Sequence, residues 1–237
     1  MKYKKTVLIV IGLLIALAFA EYKGYIWHNS ILAHKYEVRG IDVSHYQGDI
    51  NWEKVAAERD DFQFVYMKAT EGSDYIDRYF KDNWKDAKNT RLLVGAYHFF
   101  TTQSTGEQQG DHFIEVVPYE QSNLPPVIDI EIALDHNVQE IQNELIVLSD
   151  KMEHYYKLRP ILYVTYATFN KYIVNSPEFD DHDIWIRDIV KRPTLKSDRD
   201  WLLWQYINRG RVAGIDAYVD INVFNGNLEQ FQTRFKS

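Results

Sequence analysis

Apolar and polar positions divide the chain into a short uncharged N-terminal run and a long region in which two spacings alternate. From about Tyr36 onward, strand-length runs rich in Val, Ile, Phe and Tyr give way to segments whose apolar residues step by three and four. Strands are predicted at Gly40 to Ser44, Gln63 to Ala69, Leu92 to Phe100, within Leu124 to Ile132, and at Ile161 to Thr165. Helices are predicted between them at Trp52 to Arg59, Tyr79 to Lys88 and about Thr105 to Val117. The clearest helix comes next, with Val138, Ile141, Leu145, Leu148, Met152 and Tyr155 along one face. This is the βαβα order of a parallel sheet. Beyond Thr165 the helices thin out: strands at Ile184 to Arg187, Trp201 to Tyr206 and Tyr218 to Val223 are joined by segments too short or irregular for crossover helices, and Asn227 to Phe235 closes the chain. Eight strands with five good helices predict an α/β fold, an irregular TIM-type barrel with its last third trimmed. Functional groups in such a barrel sit at the carboxyl ends of the strands. Asp42, Lys68, Tyr97, Asp129, Glu131, Tyr163, Gln205 and Asp220 all fall at or near those ends in this reading.

At the N-terminus, Lys2, Lys4 and Lys5 precede the uncharged run Thr6 to Ala20, after which Glu21 and Lys23 return the chain to water. That is the pattern of an export signal. Ala18-Phe19-Ala20 has the small-x-small form a signal peptidase accepts; alternatively the run stays as a membrane anchor, with Tyr22, Tyr25, Ile26 and Trp27 where an interfacial aromatic belt would lie. Either way the rest of the chain is placed outside the cytoplasm. Residues 1–20 are thus read as signal or anchor, 21–36 as a tether and 37–237 as one domain.

Composition narrows the choice of chemistry. The chain has no cysteine, so disulfides and thiolate metal sites are excluded and the fold must hold by its core. Removing residues 1–20 takes away three of the 27 Lys and Arg and none of the 34 acids, leaving a net charge of −10. Such a domain has no general attraction for nucleic acid or anionic lipid headgroups. The 17 Tyr, 12 Phe and 6 Trp would suit either a groove that stacks sugar rings or a Tyr-rich core.

Within Leu124 to Ile132, Asp129 and Glu131 interrupt an otherwise apolar, β-branched run. Side chains alternate across a strand, so the two acids share a face about 6.6 Å apart along the backbone, while Ile128, Ile130 and Ile132 point into packing. Buried carboxylates are costly and are retained for a reason. Asp42 in the first strand and Asp220 in the last would be neighbours in a closed barrel and would face that pair across its mouth. Four acids around one mouth cannot all ionise cheaply, so one would be kept as a proton donor. The histidines show no metal-ligand spacing, and no P-loop, G-x-G-x-x-G or nucleophile elbow is present, so neither metal nor cofactor is expected. An acidic cluster holding Mg²⁺ for phosphoester chemistry is the weaker alternative, since nothing else points to a phosphate site.

Seven blocks then carry a resemblance. They are Gly40 to Gln47 with Ile50-Asn51-Trp52, Lys68 to Gly72, Gly95 to Phe99, the Asp129-x-Glu131 pair, Trp204-Gln205-Tyr206 and Val219 to Gly226. In this order and spacing, over about residues 38–230, the chain resembles glycoside hydrolase family 25, lysozymes that cut peptidoglycan. The resemblance implies a (β/α)5(β)3 barrel and cleavage of the β-1,4 bond from N-acetylmuramic acid to N-acetylglucosamine. It also implies Glu131 as general acid, Asp129 as its partner carboxylate, Asp42 and Asp220 as flanking acids, and Lys68, Tyr97, Tyr163 and Gln205 along the sugar groove. Tyr46 stands where Trp is common and is expected to stack in its place. The block Trp185-Ile186-Arg187-Asp188-Ile189 departs from the usual Ala followed two residues later by an aromatic, and Arg187 there could pair with a substrate carboxylate. The partner implied is the glycan strand of peptidoglycan, met by a monomer touching the membrane only through its N-terminal segment. A glycan-binding barrel without turnover, acting as a wall tether or scaffold, and a chitinase-like enzyme are the alternatives.

Overall fold

A computed structural model of the chain describes residues 2–57, 62–120 and 124–235. Its strands are β1 (Arg39–Val43), β2 (Phe62–Glu71), β3 (Tyr75–Ile76), β4 (Leu93–Phe99), β5 (Val127–Ile130), β6 (Ile161–Val164), β7 (Ile184–Arg187), β8 (Leu203–Gly210) and β9 (Val219–Phe224). Eight of them close a barrel in the order β1-β9-β8-β7-β6-β5-β4-β2, sealed by the β1–β2 pairing. Neighbours are parallel from β1 through β2 and β4 to β8, whereas β9 runs antiparallel to both β8 and β1. The expected irregular α/β barrel is therefore the observed fold.

The helices are α1 (Lys2–Tyr22), α2 (Asn29–Ala33), α3 (Trp52–Ala56), α4 (Phe80–Lys88), α5 (Gly106–Val116), α6 (Val138–Tyr156), a short α7 (Tyr166–Thr168) and α8 (Leu228–Phe235). Their starts follow from capping chemistry. Asn137 Oδ1 accepts from the N–H groups of Gln139 and Glu140 ahead of α6, and Thr105 forms a reciprocal capping box with Gln108 ahead of α5. Each such cap stabilises its helix by about 1 kcal/mol. Along α6, Ile141, Leu145, Leu148 and Met152 are buried as the period requires, but Val138 and Tyr155 are exposed and Tyr156 takes the last core position. The helix predicted over Trp52 to Arg59 is described to Ala56; Glu58 and Arg59 lie outside the described residues.

Two apolar layers result. One lies between barrel and helices and takes in Ile128 and Ile130 of β5, with Ile132 packed against it. The other fills the barrel, with Phe64, Tyr66, Val127, Ile161 and Trp185 inside and Phe231 of α8 stacked on Phe64 and Phe224 to close the amino end. Gly95 makes room for this filling, because a Cβ there would come 2.3 Å from the Tyr66 ring. With the lower barrel packed solid, polar groups are confined to the opposite, carboxyl end.

The structure departs from the sequence reading in three places. The lip strand β3, only two residues long, was not predicted. β8 starts later than Trp201 and runs on to Gly210, because antiparallel pairing with β9 continues as far as Gly210 opposite Val219. Residues 21–36, read as a tether, carry α2, whose Asn29 and Ala33 are fully buried against the barrel.

Candidate active site

The carboxyl end of the barrel opens into a cavity of about 200 Å³ lined by acids and aromatics, among them Asp42, Asp129, Glu131, Asp220, Tyr97 and Tyr163. β5 ends at Ile130, so Asp129 is held inside the strand while Glu131 is the first residue beyond it. The two still face the same way, as strand alternation requires, but their surroundings differ. Asp129 is buried and Glu131 is open to solvent. Asp42 and Asp220 are directly opposed partners across β1 and β9. Asp220 reaches this end at the start of its strand and not at the carboxyl end expected, because β9 is reversed.

Burial raises all four carboxyls. For Asp129 desolvation is the largest cause, reinforced by the charges of Glu131 and Asp42 and offset in part by Lys68. Asp42 is raised by desolvation and then by Asp220, while Asn222, donating to Asp42 Oδ2 over 2.7 Å, works the other way. Asp42 and Asp220 face each other across β1 and β9 closely enough to share a hydrogen bond, which requires a proton on one of them. Asp220 is pushed up to about 7 by desolvation, with Arg187 opposing. Glu131 is likewise raised by desolvation and drawn back by Arg187. Although its surface is open, the cleft walls take enough water from around its carboxyl to favour the protonated form.

A stability prediction follows from Asp220. Its folded pKa of about 7 lies above the ordinary 3.8. Folding costs nothing extra below 3.8, where both states are protonated, and the penalty grows as pH rises through 7. Asp220→Asn removes that penalty. Thermal unfolding should show the variant matching wild type at pH 3 and exceeding it at pH 8, by on the order of 1–4 kcal/mol.

The remaining predicted residues fall around these acids in distinct roles. Lys68 Nζ binds Glu71 Oε2 at 2.6 Å and lies over the Phe99 ring, presenting a cation to Asp129. Tyr97 and Tyr163 line the cavity, and Tyr163 OH donates to Gln205 Oε1 at 2.5 Å. Gln205 is itself buried beneath the floor and bonds Asp220. Tyr46 stands exposed at the lip, its ring 4.1 Å from that of His45. Arg187 follows Trp185 by two on β7, so it shares the inward face at the carboxyl end.

Three features of the site escaped the sequence reading. Asn222 is buried, accepts from Trp185 Nε1 at 2.9 Å and holds Asp42; its position two residues after Asp220 on the same strand face was the available signal. His45, read as an ordinary polar residue, pairs through Nδ1 with the buried Asp77 at 2.9 Å, which also accepts the His45 backbone N–H. No local pattern marks that pair, because its members lie 32 residues apart. The last is an absence: among the described residues, Asp129 Oδ1 is buried without a hydrogen-bond partner.

Comparison with known proteins adds an independent line. Residues 41–215 match the family model described as Glycosyl hydrolases family 25. A family 25 glycosyl hydrolase from Bacillus anthracis superposes with a TM-score of 0.79 at 40% identity, covering 84% of this chain and 94% of that one. Lysozyme M1 of Streptomyces globisporus is 34% identical over 210 residues, 80% of this chain and 68% of its own. The uncharacterized protein YegX of Escherichia coli K12 is 32% identical over 200 residues, 83% of this chain and 73% of its own.

Proposed function

The chain belongs to glycosyl hydrolases family 25, and from that premise we propose that it is a muramidase acting through Glu131 and Asp129 on the bond between N-acetylmuramic acid and N-acetylglucosamine. It is a glycoside hydrolase whose substrate is peptidoglycan. Glu131, pushed towards its protonated form by partial desolvation and open to the cleft, gives its proton to the glycosidic oxygen. The observation that carries the role of Asp129 is its buried, unpartnered Oδ1. An acceptor left without a donor is costly, and a sugar 2-acetamido N–H would satisfy it. Asp129 then orients the acetamido group, whose carbonyl oxygen attacks the anomeric carbon, and offsets the positive charge of the cyclised intermediate. Asp42 and Asp220 share a proton and leave the floor near neutrality. The aromatic walls, with Tyr46 at the lip, stack the sugars.

The experiment is a turbidity assay on purified cell wall with identification of the new reducing ends. Muramic acid ends support the proposal; wall binding without cleavage would favour the scaffold reading, and cleavage of chitin oligomers at equal rate the chitinase-like one. Arg187 sets the pH range. Its charge lowers Glu131 and Asp220, so Arg187→Ala should let Glu131 keep its proton to higher pH. The alkaline limb of the pH–rate profile is expected to move upward, and an unmoved limb would remove Arg187 from the acid's environment.

The barrel acts outside the cytoplasm, where the wall is. We read α1 as a retained anchor. Tyr3–Tyr22 is long and apolar enough to cross a membrane, and its 20 residues at about 1.5 Å each match a hydrocarbon core of about 30 Å. The barrel is read as a monomer.

A further inference from the structure

α1 does not end in a loose tether. Gly24 closes it with φ +70°, the left-handed conformation of a helix C-terminus, and sits so tightly on β8 that a Cβ would come 2.1 Å from the Arg209 carbonyl oxygen. Arginines and tyrosines interleave beside it. The Arg209 guanidinium lies 4.3 Å from the Tyr22 ring and 4.6 Å from that of Tyr218, while Arg211 lies 4.8 Å from Tyr25 and 5.1 Å from Tyr218. Arg211 Nε also donates to the Lys23 carbonyl at 2.8 Å. Five residues after Gly24, the buried Asn29 donates to the carbonyls of Asp188 and Tyr206, at 3.3 Å each.

Every one of these barrel contacts is at the carboxyl end. Asp188 follows β7, Arg209 is the last but one residue of β8, and Arg211 and Tyr218 belong to the β8–β9 connection that rises past the level of Gln205. The joint also touches the site wall, since Gln47, which lines the cavity, donates to the Tyr218 carbonyl at 2.8 Å.

The surface around the joint is unlike the rest of an acidic chain of net charge −7. Tyr25 is exposed beside Arg211, Ile26 and Ile31 are exposed along the same segment and Val190 in the loop that His28 bonds, while Glu21, the acid of the segment, is paired with His28; aromatic, apolar and basic groups in this mixture suit anionic headgroups. Tyr22 lies only two residues, about 3 Å of helix, beyond the end of the uncharged run at Ala20. Its contact with Arg209 therefore falls within the interfacial layer, which is roughly 5–8 Å deep on each side of a bilayer.

We propose that residues 22–29 and the β8–β9 connection form one rigid joint that seats the mouth-side rim of the barrel on the anionic headgroups of the bilayer α1 enters. The enzyme is thereby directed to glycan lying against the membrane, and the α8 end points away. This rests on the reading of α1 as a retained anchor. That reading is tested separately, by the mass of the protein extracted from native membranes.

The joint is tested on the full chain in vesicles of phosphatidylethanolamine and phosphatidylglycerol carrying a headgroup-linked nitroxide quencher. Because the chain has no cysteine, Asp216→Cys in the β8–β9 connection and Glu229→Cys on α8 each give a unique site for a fluorophore. Quenching at position 216 should exceed that at 229 at least twofold. A flexible Gly-Ser spacer of about 12 residues between Lys23 and Gly24, or Gly24→Val, should remove the difference while leaving wall hydrolysis in detergent unchanged. Equal quenching at the two positions in the native sequence, or a difference that survives the spacer, overturns the joint whether or not α1 is retained in cells.

Discussion

Glu131→Gln is expected to lower the rate of wall hydrolysis by about 10²- to 10⁴-fold, the range a positioned general acid contributes. Gln keeps the length and shape of the side chain and removes the transferable proton. Because Glu131 stands in the open part of the cleft and is the first residue past β5, the change leaves the strand, its ladder and the buried acids as they are. Thermal stability and glycan binding should therefore stay close to wild type while kcat collapses. The same proton sets the expected pH dependence: with Glu131 raised by desolvation, the alkaline fall in activity should come at higher pH than an ordinary carboxyl would give. A variant retaining near wild-type turnover would reject Glu131 as the acid, whatever its effect on binding.

Asp129→Asn should lower kcat by roughly 10²- to 10³-fold, the cost of removing one preorganised charge-stabilising group, with a much smaller change in KM. In the proposed route the carboxylate is needed mainly when positive charge develops on the acetamido group, so its loss should be felt in the transition state more than on binding. A substrate test separates this route from one in which a carboxylate attacks directly. De-N-acetylated peptidoglycan lacks the nucleophile and should resist the wild-type enzyme, and chemical re-acetylation should restore cleavage. Equal rates on the two substrates would sink the substrate-assisted route and leave the role of Glu131 standing.

Much of the architecture could be read along the chain because its signals are local. The α6 stripe, the capping residues Asn137 and Thr105, and the apolar β5 run with its two acids each depend on residues within a few positions of one another. The alternation of a strand was enough to put Asp129 and Glu131 on one face. Closure of the barrel made Asp42 and Asp220 neighbours, as the strand count implied. The errors are equally physical. β8 overran its predicted end because cross-strand pairing with β9 fixed its length, and β3 was missed because a two-residue strand has no period to detect.

Sequence alone determined the strand and helix order, the apolar N-terminal run and which acids would gather at one mouth, since periodicity and spacing are properties of neighbouring residues. Only the tertiary structure decided how differently those acids are treated. Asp129 is buried and Glu131 open; Asp42 and Asp220 are close enough to share a proton; Arg187 opposes the rise of Glu131 and Asp220. It also decided that His45 meets Asp77 and that Gly24 rests on Arg209. Desolvation and charge–charge interaction depend on what packs around a group from distant parts of the chain, and strand periodicity carries no record of that.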